Sequence, residues 1–229
     1  MAEVAVRYEL EDALAFVQID DGKANVFTHG VLESLEAALA RAEREAAALL
    51  LAGRPGRFSG GFDLGVMRSG PDAARALVAR GAELMLRVFE FPKPVVVACT
   101  GHAIAMGALL VMSGDLRLGA RGDFRIGLNE VQIGMALPGF VVEMARYRIG
   151  RRHYDRAVSQ AELYAPDAAV EAGYLDRAVE PAELLDQARS EAARLAKLPA
   201  PAFTATKRRS HAAAASVIRA TLSELRSNH

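Results

Sequence analysis

Residues Lys93 to Leu118 read KPVVVACTGHAIAMGALLVMSGDLRL, and the internal order of this stretch decides the fold. Pro92 and Pro94 bracket Lys93 and precede Val95, Val96 and Val97, a β-branched series suited to a strand covered on both faces. Thr100-Gly101-His102 reads as a turn. Met106 to Met112 then supplies good helix formers around one glycine, and Ser113-Gly114 stops them. The order is strand, turn, helix. Backbone N–H groups left free at such a helix start can face an anion or a developing oxyanion. Val95 to Gly114 is also about the ~20 residues a bilayer span requires. Three glycines, His102 and the strand-like first third argue against that reading.

The whole chain has 229 residues, of which 52% are apolar and 24% charged, enough to fill the core of one large domain or of a domain with a small appendage. Its zero formal charge gives no reason to expect nucleic acid or an anionic membrane as partner. The lone Cys99 lies in the apolar strand, which excludes an internal disulfide, fits a cytoplasmic protein and reads as a buried structural thiol. The opening MAEVAVRYELED does not resemble a signal peptide. No metal-ligand spacing joins His102 and His153, so no metal is expected.

Working outward, Val4 to Tyr8 and Leu14 to Ile19 read as a strand pair, closed by the turn signal Asp20-Asp21-Gly22. A helix is expected from about Gly30, with Leu32, Leu35 and Leu39 as its apolar stripe. Ala48 to Ala52 is a buried strand that runs into GRPGRFSGGFDL, Gly53 to Leu64, where Gly60 and Gly61 permit close backbone approach to a ligand. Asp63 reads as a helix or turn cap. Asp72 to Phe89 forms a helix with Leu77, Leu84 and Val88 on one face and Gly81 among them. After the central stretch, Asp115 to Leu118 and Asp123 to Ile126 read as strands, followed by Gly127-Leu128-Asn129-Glu130. Apolar neighbours Leu128, Val131 and Ile133 would desolvate the Glu130 carboxyl and raise its pKa toward that of a useful base. Gly139 to Tyr147, Arg151 to Ser159 and Pro166 to Ala172 read as helices, Tyr174 to Val179 as a strand, and Pro181 to Lys197 as a charged amphipathic helix. Leu198-Pro199-Ala200-Pro201 is a linker-like break before a last helix over Phe203 to Leu225, striped by Ile218, Leu222 and Leu225.

Three of these stretches, taken in order, resemble the motifs of the crotonase superfamily, the enoyl-CoA hydratase/isomerase family: RFSGGFDL at Arg57 to Leu64, the central stretch, and IGLNEVQIGM at Ile126 to Met135. The resemblance implies an α/β fold, a crotonase-type spiral of ββα repeats over residues 1–180, with a C-terminal helical trimerisation region over 181–229. It implies an acyl-CoA thioester as substrate, coenzyme A being part of that substrate and no other cofactor required, and a homotrimer or hexamer. By the same resemblance the N–H groups of Phe62 and Met106 form the two halves of an oxyanion hole, and Glu130 is the catalytic carboxylate. Phe62 is larger than the usual residue, so its ring is expected to narrow the acyl pocket. Ala105-Met106-Gly107 replaces a glycine-rich run and reduces backbone freedom there. Lys23 and Ala24, with Gly60 and Gly61, fall where coenzyme A lies in the family, although Lys23 reads equally well as a solvated loop lysine. Lys207 likewise has two readings, a contact to a coenzyme A phosphate or part of the solvated run Lys207-Arg208-Arg209. Tyr147, Tyr154 and Tyr164 are conceivable proton donors that read better as packing residues.

Leu109 is the departure that bears on the reaction. Hydratases of the family carry a second glutamate at this position, three residues after the oxyanion residue. Adding water is easiest with two carboxylates, whereas moving a double bond requires one base. The motif IGLNE also looks more like the family's 3-enoyl to 2-enoyl isomerases. The expectation is an enoyl-CoA isomerase, with hydration of a 2-enoyl thioester, or acyl-CoA binding without chemistry, as the alternatives.

Overall fold

The computed structural model describes residues 5–227. One unit recurs along the chain: a strand in a large sheet, a short strand beyond it, and a helix that returns. The hairpin β1 (Val6–Glu11) and β2 (Leu14–Ile19) leads to β3 (Val26–Phe27) and α1 (His29–Glu45). The next repeat comprises β4 (Ala48–Ala52), β5 (Gly56–Ser59), β6 (Gly61–Phe62), α2 (Leu64–Arg68) and α3 (Pro71–Phe89). The decisive stretch contributes β7 (Val95–Cys99), β8 (Gly101–Ile104) and α4 (Met106–Met112). It is followed by β9 (Leu116–Ala120), β10 (Ile126–Gly127), a 3₁₀ turn over Val131–Ile133, α5 (Gly139–Arg148) and α6 (Arg151–Val158). The chain ends with α7 (Pro166–Ala172), β11 (Arg177–Val179), α8 (Leu184–Ala196) and α9 (Ala200–Ser227).

Corresponding strands of successive repeats stack beside one another. The large sheet has six strands in the order β1-β2-β4-β7-β9-β11, parallel throughout except for β1 against β2. The short strands form a second parallel sheet, β10-β8-β5, and a β3-β6 pair. The result is an α/β spiral of ββα repeats. Both β4 and β7 are buried along their whole length, which explains the unbroken apolar runs ALLLA and VVVAC. Leu49, Leu51, Val95 and Val97 point into the core shared with α1, α3 and α4. Leu50, Val96 and Ala98 pack on the opposite face against Leu184, Ala188 and Ala192 of α8.

Several expectations change in the folded chain. Gly101 and His102 belong to a strand, not a turn: β8 runs so close to β5 that the Gly56 backbone fills the space of a side chain at Gly101. The strand expected over Asp123–Ile126 shrinks to Ile126–Gly127, because the chain turns at Gly122 and Phe124 N–H donates to the Gly122 carbonyl at 2.9 Å. Asp115 lies outside β9, and its carboxylate accepts the N–H of Val95 at 2.8 Å. The break before the last helix is shorter than expected, since α9 starts at Ala200 and carries Pro201 in its first turn, where the missing N–H has no helical role. Val4, expected in the first strand, lies outside the described residues. No helix of the described residues is long and apolar enough to cross a membrane.

Candidate active site

The site forms where β6, α4 and the segment after β10 converge, and a buried asparagine builds its frame. Asn25, wholly buried with φ 51°, donates through Nδ2 to the carbonyls of Ile19 at 2.8 Å, Arg57 at 3.1 Å and Phe58 at 3.2 Å. Its own carbonyl accepts the Ser59 hydroxyl at 2.7 Å, and that oxygen accepts Gly61 N–H at 3.1 Å. β3, β5 and β6 are thereby tied together. Nothing in the sequence marked Asn25; its position just after an Asp-Asp-Gly turn, where αL backbone favours asparagine, is the signal that could have found it.

Ala24 lies against this frame, its carbonyl accepting Gly60 N–H at 2.8 Å. Lys23 is exposed next to it, with its carbonyl held by Arg54 at 2.6 and 2.9 Å. Lys23, Ala24, Gly60 and Gly61 are therefore neighbours at one edge of the site. Gly61 has φ 94°, and a Cβ there would stand 3.1 Å from the Ile104 carbonyl oxygen and 3.8 Å from Met106 N. That close approach brings β6 against the start of α4. Asp63 N–H donates to the Phe27 carbonyl at 3.1 Å, so strand alternation turns the N–H of Phe62 away from β3. Asp63 itself caps α2, accepting Val66 N–H at 2.8 Å. The N–H of Met106 is the first of α4, whose earliest intrahelical bond is Leu109 N–H to the Ala105 carbonyl at 3.1 Å, and so it has no helical acceptor. Ala105 takes φ 52° and ψ −118° to start this helix, a strained backbone for a residue with a Cβ, and Gly127 fixes it by accepting Ala105 N–H at 2.9 Å.

That last bond links α4 to the loop carrying Glu130. Glu130 opens the 3₁₀ turn, its carbonyl accepting Ile133 N–H at 3.1 Å and Met135 N–H at 2.9 Å. Only 9% of the residue is exposed, and Oε2 is buried without a hydrogen-bond partner among the described residues. Burial pushes its carboxyl above the usual carboxylate range, against a smaller opposing effect of the N–H groups of Glu130 and Asn129. The carboxyl faces a cavity of about 210 Å³ whose walls include Phe62, Val78, Ala105, Leu109 and Phe140. Glu130 is the one ionisable side chain among the described residues lining it. Phe62, Glu130 and the buried Leu109 share the cavity wall, and Met106, at the start of α4, adjoins Gly61 and Phe62.

Lys207 is not brought there. It is buried in α9, and its ammonium lies 2.7 Å from the Asp115 carboxylate, which commits the charge to an internal ion pair. The solvated reading fails as well, because a side chain 5% exposed is not part of a wet basic face. Tyr147 packs on His211 and Phe89, Tyr164 on His153 and Tyr174, and none of Tyr147, Tyr154 and Tyr164 lines the cavity.

A buried carboxyl with a raised pKa beside an apolar cavity is an arrangement suited to proton transfer at carbon. Residues 9–228 match the family described as enoyl-CoA hydratase/isomerase. The chain is 28% identical over 200 residues to a probable enoyl-CoA hydratase of Bacillus subtilis, covering 84% of this chain and 76% of that one. It is 32% identical over 161 residues to the human mitochondrial enoyl-CoA delta isomerase 1, covering 69% and 53%. Among solved structures, an enoyl-CoA hydratase/isomerase family protein from Pseudomonas syringae superposes with a TM-score of 0.95 at 40% identity over 98% and 97% of the two chains. An apo enoyl-CoA isomerase from Mtb gives 0.94 at 37% identity over 99% of both. The chain belongs to the enoyl-CoA hydratase/isomerase family, and is an enzyme of the crotonase superfamily.

Proposed function

We propose that this enzyme moves the double bond of a 3-enoyl-CoA thioester to the 2-position, with Glu130 as its single base. The observation that carries this reading is the lone carboxylate in the cavity wall, with Leu109 where a second acid would stand. Glu130 removes a proton from the carbon next to the thioester carbonyl. The C–H electron pair moves into a dienolate spread over the carbonyl oxygen and the former 3,4 double bond. The N–H groups of Phe62 and Met106 donate to the enolate oxygen, each such donor being worth about 10² to 10³ in rate. Glu130, now the acid, returns the proton to carbon 4, and the product is the 2-enoyl thioester. An apolar wall at Leu109 serves this chemistry, since it leaves no second acid to hold a water against the double bond. Lys23, Ala24, Gly60 and Gly61, neighbours at one edge of the site, receive the coenzyme A portion in this reading. The chain assembles as a homotrimer or hexamer in this reading.

Mass-resolved turnover of 3-enoyl and 2-enoyl thioesters tests the proposal. The 3-enoyl substrates convert with no change of mass, and Glu130→Gln lowers that rate by about 10³. A mutant within a few-fold of the parent removes Glu130 from the mechanism. Product heavier by one water moves the assignment to hydration, and binding without any turnover moves it to acyl-CoA sequestration.

A further inference from the structure

Gly81 lies in the middle of α3, where glycine costs about 1 kcal/mol relative to alanine. A glycine kept in such a place has a packing reason. A Cβ on Gly81 would stand 2.5 Å from both Cε1 and Cζ of Phe62 and 3.5 Å from Sδ of Met106. The Phe62 ring therefore rests in the notch that the missing side chain leaves. Phe27 meets the same ring edge-on, with centroids 6.4 Å apart and planes at 68°. The remaining side of the ring faces the cavity, whose wall it shares with Val78, three residues before Gly81 on α3. With Phe27 and α3 behind it, a displaced ring has the cavity as its way out.

The size of the cavity gives this arrangement its consequence. A cavity of about 150 Å³ holds a benzene molecule, so 210 Å³ has room for about eight carbons. A ring pushed toward that volume by a Cβ on Gly81 would take up part of it. We propose that Phe62 and Gly81 form a matched pair that sets the acyl length this enzyme takes, the ring seated in the Gly81 notch leaving room for a medium chain of about eight carbons. This rests on the reading of the cavity as the acyl site. Phe62 still bounds the cavity, and the notch at Gly81 sets how far its ring reaches into it.

The test is the affinity of saturated acyl-CoA thioesters from four to fourteen carbons, measured calorimetrically, together with 3-enoyl turnover over the same lengths. Affinity in the parent rises with length to about eight carbons and then levels. Gly81→Ala binds the four-carbon thioester as the parent does and the eight-carbon one about tenfold more weakly. Phe62→Ala extends the rise to longer chains. The double variant Phe62→Ala/Gly81→Ala recovers eight-carbon affinity, because no ring remains to be displaced. Uniform weakening at every length in Gly81→Ala, or failure of the double variant to recover, overturns the pair. Should Gly81→Ala not fold, Phe62→Ala decides alone, and an unaltered length profile overturns the proposal. Saturated thioesters need no base, so a parent that shows the length profile without turnover sinks the isomerase reading and leaves the pair standing.

Discussion

Glu130 shows what the fold does to a single side chain. Its pKa lies above the ordinary carboxylate range because burial penalises the charge more than two N–H groups support it. The proposed mechanism uses Glu130 in its ionised form, so kcat/KM is expected to rise with pH through an apparent pKa above that range, and to be lost as pH falls through it. Stability has the opposite sign. A carboxyl whose folded pKa exceeds its unfolded one costs nothing below the unfolded value, and destabilises as pH rises through the folded value. Glu130→Gln is therefore expected to raise Tm at pH 7 and to leave it unchanged at pH 3, in thermal melts of parent and mutant. A Tm lowered at pH 7 would mean that the carboxylate has a favourable partner. The motif IGLNE and its apolar neighbours made Glu130 readable in the sequence. Ala105 was not readable in the same way: AIAMGA carries no glycine at the residue that takes φ 52°, and the strain is imposed by β6 and β10 packing on either side.

At the scale of elements, the long periodic segments were legible and the short pairings were not. α1, α3 and α9 follow from stripes such as Leu32-Leu35-Leu39, while β8 and β10 exist because they pair with each other and β5, and a strand of two residues has no periodicity to read. Lys207 is the sharpest case. Its partner Asp115 is 92 residues away in the chain, in the turn between α4 and β9, and no local pattern announces it. The pair has a supporting arrangement, since Asp115 also accepts Val95 N–H and Arg148 donates to the carbonyls of Met112 and Gly114 at 2.8 Å beside it. Removing one member of a buried pair leaves the other charge unpaired, which costs about 3 kcal/mol or more. Lys207→Ala is expected to lose about that much in denaturant unfolding while KM for the thioester stays at the parental value. A raised KM with unchanged stability would restore the contact to coenzyme A.

At the scale of the whole molecule, α9 bears on the site without lining the cavity. It packs on α3 and α5, with Ala214, Ala215, Ile218 and Leu222 buried, Thr221 filling the space beside Gly139, and the His211 ring stacked on Phe89 at 4.0 Å. Arg219 adds an ion pair to Glu90. The helices it covers are those that supply Val78 and Gly81, on α3, and Phe140 and Val141, on α5, to the cavity and its notch. Burying Ile218 and Leu222 is worth about 1.5–3 kcal/mol each, and the Lys207–Asp115 pair falls with the helix. Against a total stability of about 5–15 kcal/mol for a domain, that loss is large. Truncation after Pro199 is therefore expected to abolish the cooperative thermal transition and acyl-CoA binding together. If α9 served only to join subunits, the truncated chain would be a monomer by light scattering with a sharp melt and an intact cavity. Loss of the melt and of binding in one step, by contrast, places α9 within the folding unit that shapes the cavity.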